Sequence, residues 1–135
     1  MIEYTDKIDG IYPEKLSGFF IGWPNPPSNK KLLEILKNST HIWLALDDST
    51  GNVIGFINAL SDKVLSSYIP LLEVLPEYQN RGIGKMLAEK MFQTLKNYYM
   101  IDLMCDPELQ NFYGKLGLAN SYGCILRNYE RQSGE

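Results

Sequence analysis

The chain has 135 residues, of which 44% are hydrophobic and 21% are charged, and its net charge is −3 at pH 7. This length suits one hydrophobic core and one main site, so we expect a single domain over residues 1–135. No apolar run approaches the roughly 20 residues of a membrane span, and the first residues lack the order of a signal peptide. We therefore expect a cytoplasmic protein with no membrane contact. The negative charge argues against a nucleic acid as partner.

The first third of the chain combines an aromatic loop with a short helix. Residues 17–29 place glycines and prolines among Phe19, Phe20 and Trp23, which disfavours a regular helix or a central strand. Ser28 is predicted to cap a helix that ends near Asn38. The apolar residues at helical spacing supply its buried stripe: Leu32, Leu33, Ile35 and Leu36.

The middle of the chain predicts a hairpin followed by a buried strand. Residues 41–46 and 53–60 are rich in strand-forming residues and flank a turn that contains Gly51. Residues 65–75 are too continuously apolar for a sheet with one wet face, so both faces of this strand are expected to be covered. Pro70 has no N–H to donate, and we expect a bulge or a change of pairing there.

The second half of the chain predicts alternating helices and strands. Apolar residues recur at helical spacing over residues 83–95, and residues 100–105 indicate a buried strand. Residues 107–116 predict a helix that ends at Gly117, and residues 121–129 predict a last strand. Antiparallel strands followed by this order indicate an α/β fold with a mixed sheet and helices on its faces.

The two cysteines do not predict a metal site. Cys105 and Cys124 are too few for a thiolate cage and do not form a Cys-x-x-Cys pair. We expect both to be small core residues, and no metal ion is expected.

A glycine-bearing turn lies between the buried strand and the predicted helix over residues 83–95. Such a turn leaves unpaired N–H groups at a helix N-terminus, where the helix dipole favours an anion. Gly82 and Gly84 leave room for a phosphate oxygen, and Arg81 and Lys85 add positive charge. The segment fits neither a Walker loop nor a dinucleotide fingerprint, since Leu87 stands where the fingerprint needs its third glycine. The alternative is an ordinary flexible turn with a solvated arginine and lysine.

Two motifs resemble those of the GNAT superfamily of N-acetyltransferases. The run Gln79-Asn80-Arg81-Gly82-Ile83-Gly84 matches its Gln/Arg-x-x-Gly-x-Gly/Ala signature, and residues 109–118 resemble its Asn/Pro-Phe-Tyr-x-Lys-x-Gly-Phe block, with Leu118 in place of Phe. The resemblance covers about residues 42–118. It implies a mixed, mainly antiparallel twisted sheet of about six strands with helices on both faces.

The resemblance also implies acetyl-coenzyme A as co-substrate and assigns residues to it. The strand over residues 72–74 would bind the pantetheine arm through its main chain, the glycine turn would hold the pyrophosphate, and Asn111 would contact the cofactor. The implied cofactor-binding residues are Leu72, Val74, Gln79, Asn80, Arg81, Gly82, Ile83, Gly84, Lys85 and Asn111.

Acetyl transfer to an amine needs a proton for the departing thiolate and a neutral amine. Tyr113 is the expected catalytic acid, with a packed helix tyrosine as the alternative. Glu73 lies inside an apolar strand, where desolvation would raise its pKa, and it is the candidate base. It is equally well read as a solvated or a hydrogen-bonded structural carboxylate, and a chain of waters is a further alternative. His41, the only histidine, is expected to end a strand.

The sequence does not identify the acceptor amine. Phe20, Trp23 and Tyr68 are the expected substrate-binding residues, although anchoring of the core also explains the two in the aromatic loop. The acceptor is expected to be a primary amine of a small molecule or a peptide. The alternative functions are a non-catalytic acyl-coenzyme A sensor or scaffold and an enzyme that uses a longer acyl donor. A homodimer is expected, with contacts through residues 122–129.

Overall fold

A six-stranded sheet forms the centre of the molecule in the computed structural model, which describes all residues 1–135. The strands are β1 (Ile2–Thr5), β2 (His41–Asp47), β3 (Val53–Ser61), β4 (Ser66–Ile69), β5 (Leu72–Val74) and β6 (Met100–Leu103). The helices are α1 (Asn29–Asn38), α2 (Ile83–Leu95) and α3 (Gln110–Lys115). The strand order is β1-β2-β3-β4-β6, and β5 pairs with β3.

The sheet is mixed and mainly antiparallel, as the sequence predicts. Four pairings are antiparallel, and only β4 and β6 run parallel. Strand β1 was not predicted, because four residues beside a charged neighbour give too short a pattern to stand out. It pairs with β2 from Ile2 opposite Asp47 to Thr5 opposite Leu44.

The predicted hairpin of β2 and β3 contains a bulge that serves both faces of the sheet. Ala45 lies opposite Gly55 and Leu46 lies opposite Val53, so Ile54 is the extra residue on its strand. Val53 packs into the core beside α1, whereas Ile54 packs into the core beside α2. The bulge thus lets two adjacent apolar residues reach opposite sides of the sheet.

The two longer helices cover opposite faces of the sheet. Helix α1 begins after Ser28, whose hydroxyl accepts a hydrogen bond from Lys31 N at 3.1 Å, as predicted. Its buried residues are Leu32, Leu33 and Leu36, and those of α2 are Ile83, Leu87, Ala88, Met91 and Leu95. None of the three helices is long and apolar enough to cross a membrane.

The predicted strand over residues 65–75 is interrupted at Pro70, as its missing N–H requires. The part before Pro70 is β4 and the part after it is β5. Asn58 holds the interruption in place: its N–H donates to Leu71 O at 3.2 Å, and its side-chain oxygen accepts from Leu71 N at 3.1 Å. Its side-chain nitrogen donates to Ser39 Oγ at 3.0 Å, so the oxygen and the nitrogen of this buried side chain each have a partner.

The C-terminal part departs from the sequence prediction. The helix predicted over residues 107–116 is present as a single turn at Pro107–Leu109 that continues into α3, and Gly117 follows with a φ of +99°. The strand predicted over residues 121–129 is wrong: this segment pairs with no strand, which a strand needs, and its last residue begins a single helical turn over Tyr129–Arg131. Cys124 in this segment is exposed, and Cys105 is half-buried, so neither is a fully buried core residue as expected.

Candidate functional site

A cleft opens where the two parallel strands of the sheet separate. The last pair of β4 and β6 is Ile69 and Leu103. Beyond it, β5 follows β3 while residues 104–109 lead away towards α3. The gap encloses about 340 Å³. Its lining residues are Trp23, Ile69, Pro70, Leu71, Leu72, Glu73, Leu103, Met104, Cys105, Asp106, Leu109, Tyr113, Ile125 and Arg127.

One edge of β5 faces this gap with unpaired main-chain groups. Asn58 N donates to Leu71 O, and Leu75 N donates to Ile54 O at 2.9 Å, so odd-numbered residues of this stretch point their main-chain groups at β3. Alternation along a strand directs the N–H groups of Leu72 and Val74 to the open side. Val74 O on that side accepts a hydrogen bond from Gln79 Nε2 at 3.0 Å. The open edge can therefore pair with an extended polar ligand.

The N-terminus of α2 lies at the end of this open edge. Its first backbone hydrogen bond runs from Met86 N to Gly82 O at 3.0 Å, and no N–H of residues 82–85 has an acceptor in the protein. A methyl group at Gly84 would lie 3.7 Å from Val74 Cγ2 and 4.0 Å from Phe112 Cζ, so β5, α2 and α3 meet here. The unpaired N–H groups and the helix dipole make this corner suitable for an anion.

The conformation of the turn before α2 depends on glycine. Gly82 has a φ of +80°, and Asn80 has a φ of +64°. A Cβ at Gly82 would meet no atom within 4 Å, so the space on this side of the turn is open. The turn is therefore shaped so that its main chain, rather than a side chain, borders that space.

Side chains fix the turn to the rest of the sheet. Tyr78 Oη donates to Asp47 Oδ2 at 2.6 Å, and this hydrogen bond, together with two from Ser49, lowers the pKa of Asp47 to about 2. The guanidinium of Arg81 lies 5.2 Å from the centre of the Tyr78 ring and donates to Glu77 O at 3.1 Å. Lys85 lies 3.7 Å from Glu89 and is largely exposed. Both cations are close enough to the turn to reach a bound anion.

Tyr113 projects from α3 into the cleft and is buried. Desolvation, followed by the charge of Cys105, raises the pKa of its phenol to about 12. No hydrogen bond contributes to this shift, so the hydroxyl is not committed to a protein acceptor. Tyr113 is thus a neutral hydrogen-bond donor at physiological pH, located in the same cleft as the open edge of β5.

The carboxylate of Glu73 is engaged by the aromatic loop. Its two oxygens accept hydrogen bonds from Phe20 N at 2.9 Å and Ile21 N at 3.3 Å. Phe20 has a φ of +63°, a conformation that needs support in a non-glycine residue. These contacts favour the alternative that Glu73 is a hydrogen-bonded structural carboxylate. Glu73 also lines the cleft, and its role as a base stays a prediction.

The predicted acceptor residues are not all brought together. Trp23 lines the cleft, and Phe20 packs beneath it with only 4% of its surface exposed. Tyr68 lies on β4 outside the cleft lining. A contact from Phe20 to an acceptor would need the loop to move. These assignments stay predictions.

Two other residues singled out in the sequence lie away from the cleft. Asn111 is exposed on α3 and lines a shallow polar depression with Gly114 and Asn120. His41 contacts Tyr98 Oη at 3.2 Å, and desolvation followed by the charge of Lys63 lowers its pKa. The structure gives His41 a packing role at the start of β2.

Several residues that line the cleft were not predicted from the sequence to be part of a site. Cys105 and Asp106 follow β6 directly, and the convergence of parallel strand ends would have indicated them. Ile125 and Arg127 belong to the C-terminal segment, and no local sequence pattern indicates that they line the cleft. Their placement depends on the path of the whole chain.

The sequence profile of the Acetyltransferase (GNAT) family matches residues 8–118. This chain belongs to the GNAT family. The match includes β5 and Tyr113, which contribute to the cleft, and the turn before α2 beside it. The family supports acetyltransferase activity in general and does not specify the acceptor.

Relatives and solved structures agree with this placement of the GNAT chain. It is 32% identical over 101 residues to Uncharacterized N-acetyltransferase ycf52 of Pyropia yezoensis, covering 72% of this chain and 58% of that protein. It is 36% identical over 108 residues to Histone acetyltransferase TAP1 of Glycine max, covering 72% of this chain and 46% of that protein. The chain thus spans about half the length of these curated relatives. A crystal structure of a putative acetyltransferase from Deinococcus radiodurans shares 41% identity with a TM-score of 0.95, over 98% of this chain and 92% of that one.

Proposed function

We propose that this GNAT chain moves an acetyl group from acetyl-coenzyme A to a primary amine of a small molecule or a peptide, by direct transfer in a ternary complex. One observation carries the proposal. Leu72 on the open edge of β5 and the buried Tyr113 line one cleft, and the N-terminus of α2, with its unpaired N–H groups, meets β5 and α3 beside that cleft at Gly84. Two reactants held there would lose little further freedom on reaching the transition state.

The free main-chain groups suit the shape of acetyl-coenzyme A. The N–H groups of Leu72 and Val74 would pair with the amide-bearing arm, and Gln79 would turn away from Val74 O to admit it. The pyrophosphate would lie on the N–H groups of residues 82–85. The proposed contacts are Leu72, Val74, Gln79, Asn80, Arg81, Gly82, Ile83, Gly84 and Lys85, with Asn111 contributing from α3.

The chemical step needs three contributions from the protein. An N–H on the open edge of β5 would stabilise the charge that develops on the carbonyl oxygen as the amine nitrogen bonds to the carbonyl carbon. Tyr113 would donate a hydrogen bond to the sulfur as the carbon–sulfur bond breaks. Water, or Glu73 if it is released from the loop, would take the amine proton. The bound thioester supplies the acetyl group.

The raised pKa of Tyr113 defines its part in this step. An ordinary thiol has a pKa of about 8.5, whereas that of Tyr113 is raised to about 12. Complete proton transfer from this phenol to a thiolate is therefore uphill. Tyr113 would act by hydrogen-bond donation, with solvent supplying the proton after the sulfur has departed.

The acceptor would enter beside Trp23. The carboxylates of Glu73 and Asp106 line this cleft and would attract an ammonium group before it loses its proton. The relative from Glycine max is named as a histone acetyltransferase. This name supports an amine of a protein as a candidate acceptor, in addition to small-molecule amines.

The remaining parts of the proposal rest on the sequence. Residues 1–135 would act as one domain, in the cytoplasm, without a metal ion, a nucleic acid or a membrane as partner. A homodimer is the proposed assembly. Other curated relatives are named as chloroplastic proteins, so the location needs its own measurement.

The experiment is a steady-state assay of thiol release from acetyl-coenzyme A with a panel of amines. The panel contains a polyamine, an arylalkylamine, a free amino acid and a lysine-bearing peptide. We expect amine-dependent thiol release and an acetylated product of the expected mass. Binding of acetyl-coenzyme A without turnover on any amine would instead support the sensor or scaffold function.

A further inference from the structure

Arg127 presents a positive charge to the cleft and has no partner in the protein. It lines the cleft from the C-terminal segment, and its side chain is exposed. It takes part in no ion pair of the structure. Unlike Arg81, whose guanidinium donates to Glu77 O, it also has no hydrogen-bond acceptor within the chain. Its planar set of N–H donors is therefore available to a ligand.

Asp106 presents a negative charge to the same cleft and is equally free. Only its main-chain oxygen is used, as the acceptor for Leu109 N at 2.9 Å, and its side chain caps no helix. The other carboxylate of the cleft, that of Glu73, is held by the aromatic loop. Since Asp106 and Arg127 do not pair with each other, the cleft offers two separate charges of opposite sign.

Arg127 lies on the side of the cleft where the acceptor is proposed to enter. Shortly after it in the chain, Gln132 Oε1 accepts a hydrogen bond from Asn25 N at 2.8 Å. The segment that carries Arg127 therefore approaches the aromatic loop, whose Trp23 also lines the cleft. No residue of the turn before α2 lines the cleft, so the proposed pyrophosphate site is separate. The guanidinium is thus placed for the acceptor rather than for the phosphates of the co-substrate.

The walls and the size of the cleft restrict the acceptor further. Most of the lining side chains are apolar, and Trp23, Ile69 and Ile125 are among them. The volume of about 340 Å³ is near the lower limit for small-ligand sites, and the acetyl end of the co-substrate has to share it. The cleft thus suits a small acceptor that combines an apolar part with both charges.

We propose that the acceptor is a free amino acid with an apolar side chain. Its carboxylate pairs with the guanidinium of Arg127, whose parallel N–H groups match two carboxylate oxygens. Its ammonium group lies towards Asp106, and its side chain contacts Trp23 and Ile125. A polyamine, or the side-chain amine of a protein lysine, has no carboxylate for Arg127. This choice of acceptor rests on the proposed function, which it narrows to one class of primary amine.

Acetylation of such an acceptor ends its attraction to Asp106. The ammonium group first gives one proton to water. The amine nitrogen then bonds to the thioester carbon, the carbon–sulfur bond breaks, the nitrogen loses a second proton to solvent, and the departing thiolate takes up one. The product is an amide that keeps its carboxylate but carries no positive charge. Arg127 alone then holds the product, which favours its release.

The first test measures binding of the acceptor without turnover. Chemical shifts of the nitrogen-15-labelled chain, with and without coenzyme A, are followed during titration with leucine and with isoamylamine, which is leucine without its carboxylate. We expect shifts at the Trp23 indole and at Arg127, and a Kd for leucine at least about tenfold lower than that for isoamylamine. Arg127→Gln should abolish this difference. The control is Arg131→Gln, at an exposed arginine outside the cleft lining, and it should preserve the difference.

Equal affinities of the unmodified chain for leucine and isoamylamine would overturn the proposal. Shifts confined to residues outside the cleft would overturn it as well. Because Arg127 is exposed, its replacement is not expected to disturb folding, and circular dichroism of both variants checks this.

The second test compares rates of thiol release within two matched pairs, leucine with isoamylamine and phenylalanine with phenethylamine. We expect kcat/KM for each amino acid to be at least about tenfold above that for its matched amine. Arg127→Gln should raise the KM for the amino acids by about tenfold and leave kcat/KM for the amines unchanged. Acetylation of amines without a preference for a carboxylate would overturn only this choice of acceptor. If no amine is acetylated although acetyl-coenzyme A binds, the proposed function and the acceptor both fail.

Discussion

If Tyr113 acts as proposed, its buried phenol sets how the rate of acetyl transfer responds to alkaline pH. Its pKa is raised to about 12, so the folded protein keeps the proton more tightly than the unfolded chain, in which the pKa is about 10. The stabilisation from the neutral phenol is therefore complete below about pH 10 and is lost as the pH rises towards 12. We expect kcat/KM to rise with pH as the amine deprotonates, without a fall below about pH 10. An earlier alkaline fall that disappears in Tyr113→Phe would contradict the raised pKa.

Replacing Tyr113 with phenylalanine should separate catalysis from binding. The ring stays in place, while the proposed hydrogen bond to the departing sulfur is lost. We expect kcat to fall by about 100-fold and the Kd of acetyl-coenzyme A to change by less than about twofold. Tyr99→Phe, at a tyrosine that is 84% exposed, is the matched control and should leave both unchanged. A parallel loss of affinity and rate in Tyr113→Phe would mean that the residue packs the cleft and does not act on the sulfur.

Glu73 should behave as an anchor of the aromatic loop. Glu73→Gln leaves one oxygen for Phe20 N or Ile21 N and turns an amide donor towards the other, so the loop loses a hydrogen bond. We expect a lower Tm and a KM for the amine that is raised about tenfold, with a smaller change in kcat. Glu77→Gln, at an exposed carboxylate beside the turn, is the control. If kcat falls by about 100-fold and the acid limb of the pH profile is lost at unchanged KM, Glu73 is the base.

At the scale of elements, the turn before α2 should depend on its glycine. Gly82 and Gly10 have φ angles of +80° and +77°, and a Cβ at either would meet no atom within 4 Å. Alanine at each should cost a similar 1–2 kcal/mol or so in the free energy of unfolding. Only Gly82→Ala is expected to lower the affinity for acetyl-coenzyme A, by about tenfold, since its methyl group borders the proposed pyrophosphate site. Equal affinities for the two variants by calorimetry would place the phosphates elsewhere.

The elements that sequence predicts well are those with a local cause. Ser28 caps α1, apolar spacing marks α2, and the missing N–H of Pro70 separates β4 from β5. The elements that were missed or wrongly predicted depend on partners that are distant in sequence. Strand β1 exists because the edge of β2 accepts it, whereas residues 121–129 have the composition of a strand but pair with no strand of the sheet.

At the scale of the whole molecule, the proposed site is the meeting of three elements that are far apart in sequence. The turn with Gly82 and the helix with Tyr113 could be singled out from their motifs, because each motif is local. The sequence could not predict the hydrogen bonds from the aromatic loop to Glu73 or the position of Arg127 in the cleft, since both depend on how the chain closes over the sheet. Sequence thus indicates the parts of the site, and the fold decides which of them can act together.

The proposed function depends on binding of acetyl-coenzyme A to the open edge of β5 and the N-terminus of α2. The decisive measurement is isothermal titration of the purified chain with acetyl-coenzyme A and, separately, with ATP. We expect one site per chain with a Kd in the micromolar range for acetyl-coenzyme A and much weaker binding of ATP, which lacks the pantetheine arm. No heat of binding from acetyl-coenzyme A, in folded protein free of bound cofactor, would contradict the site and the function proposed for it.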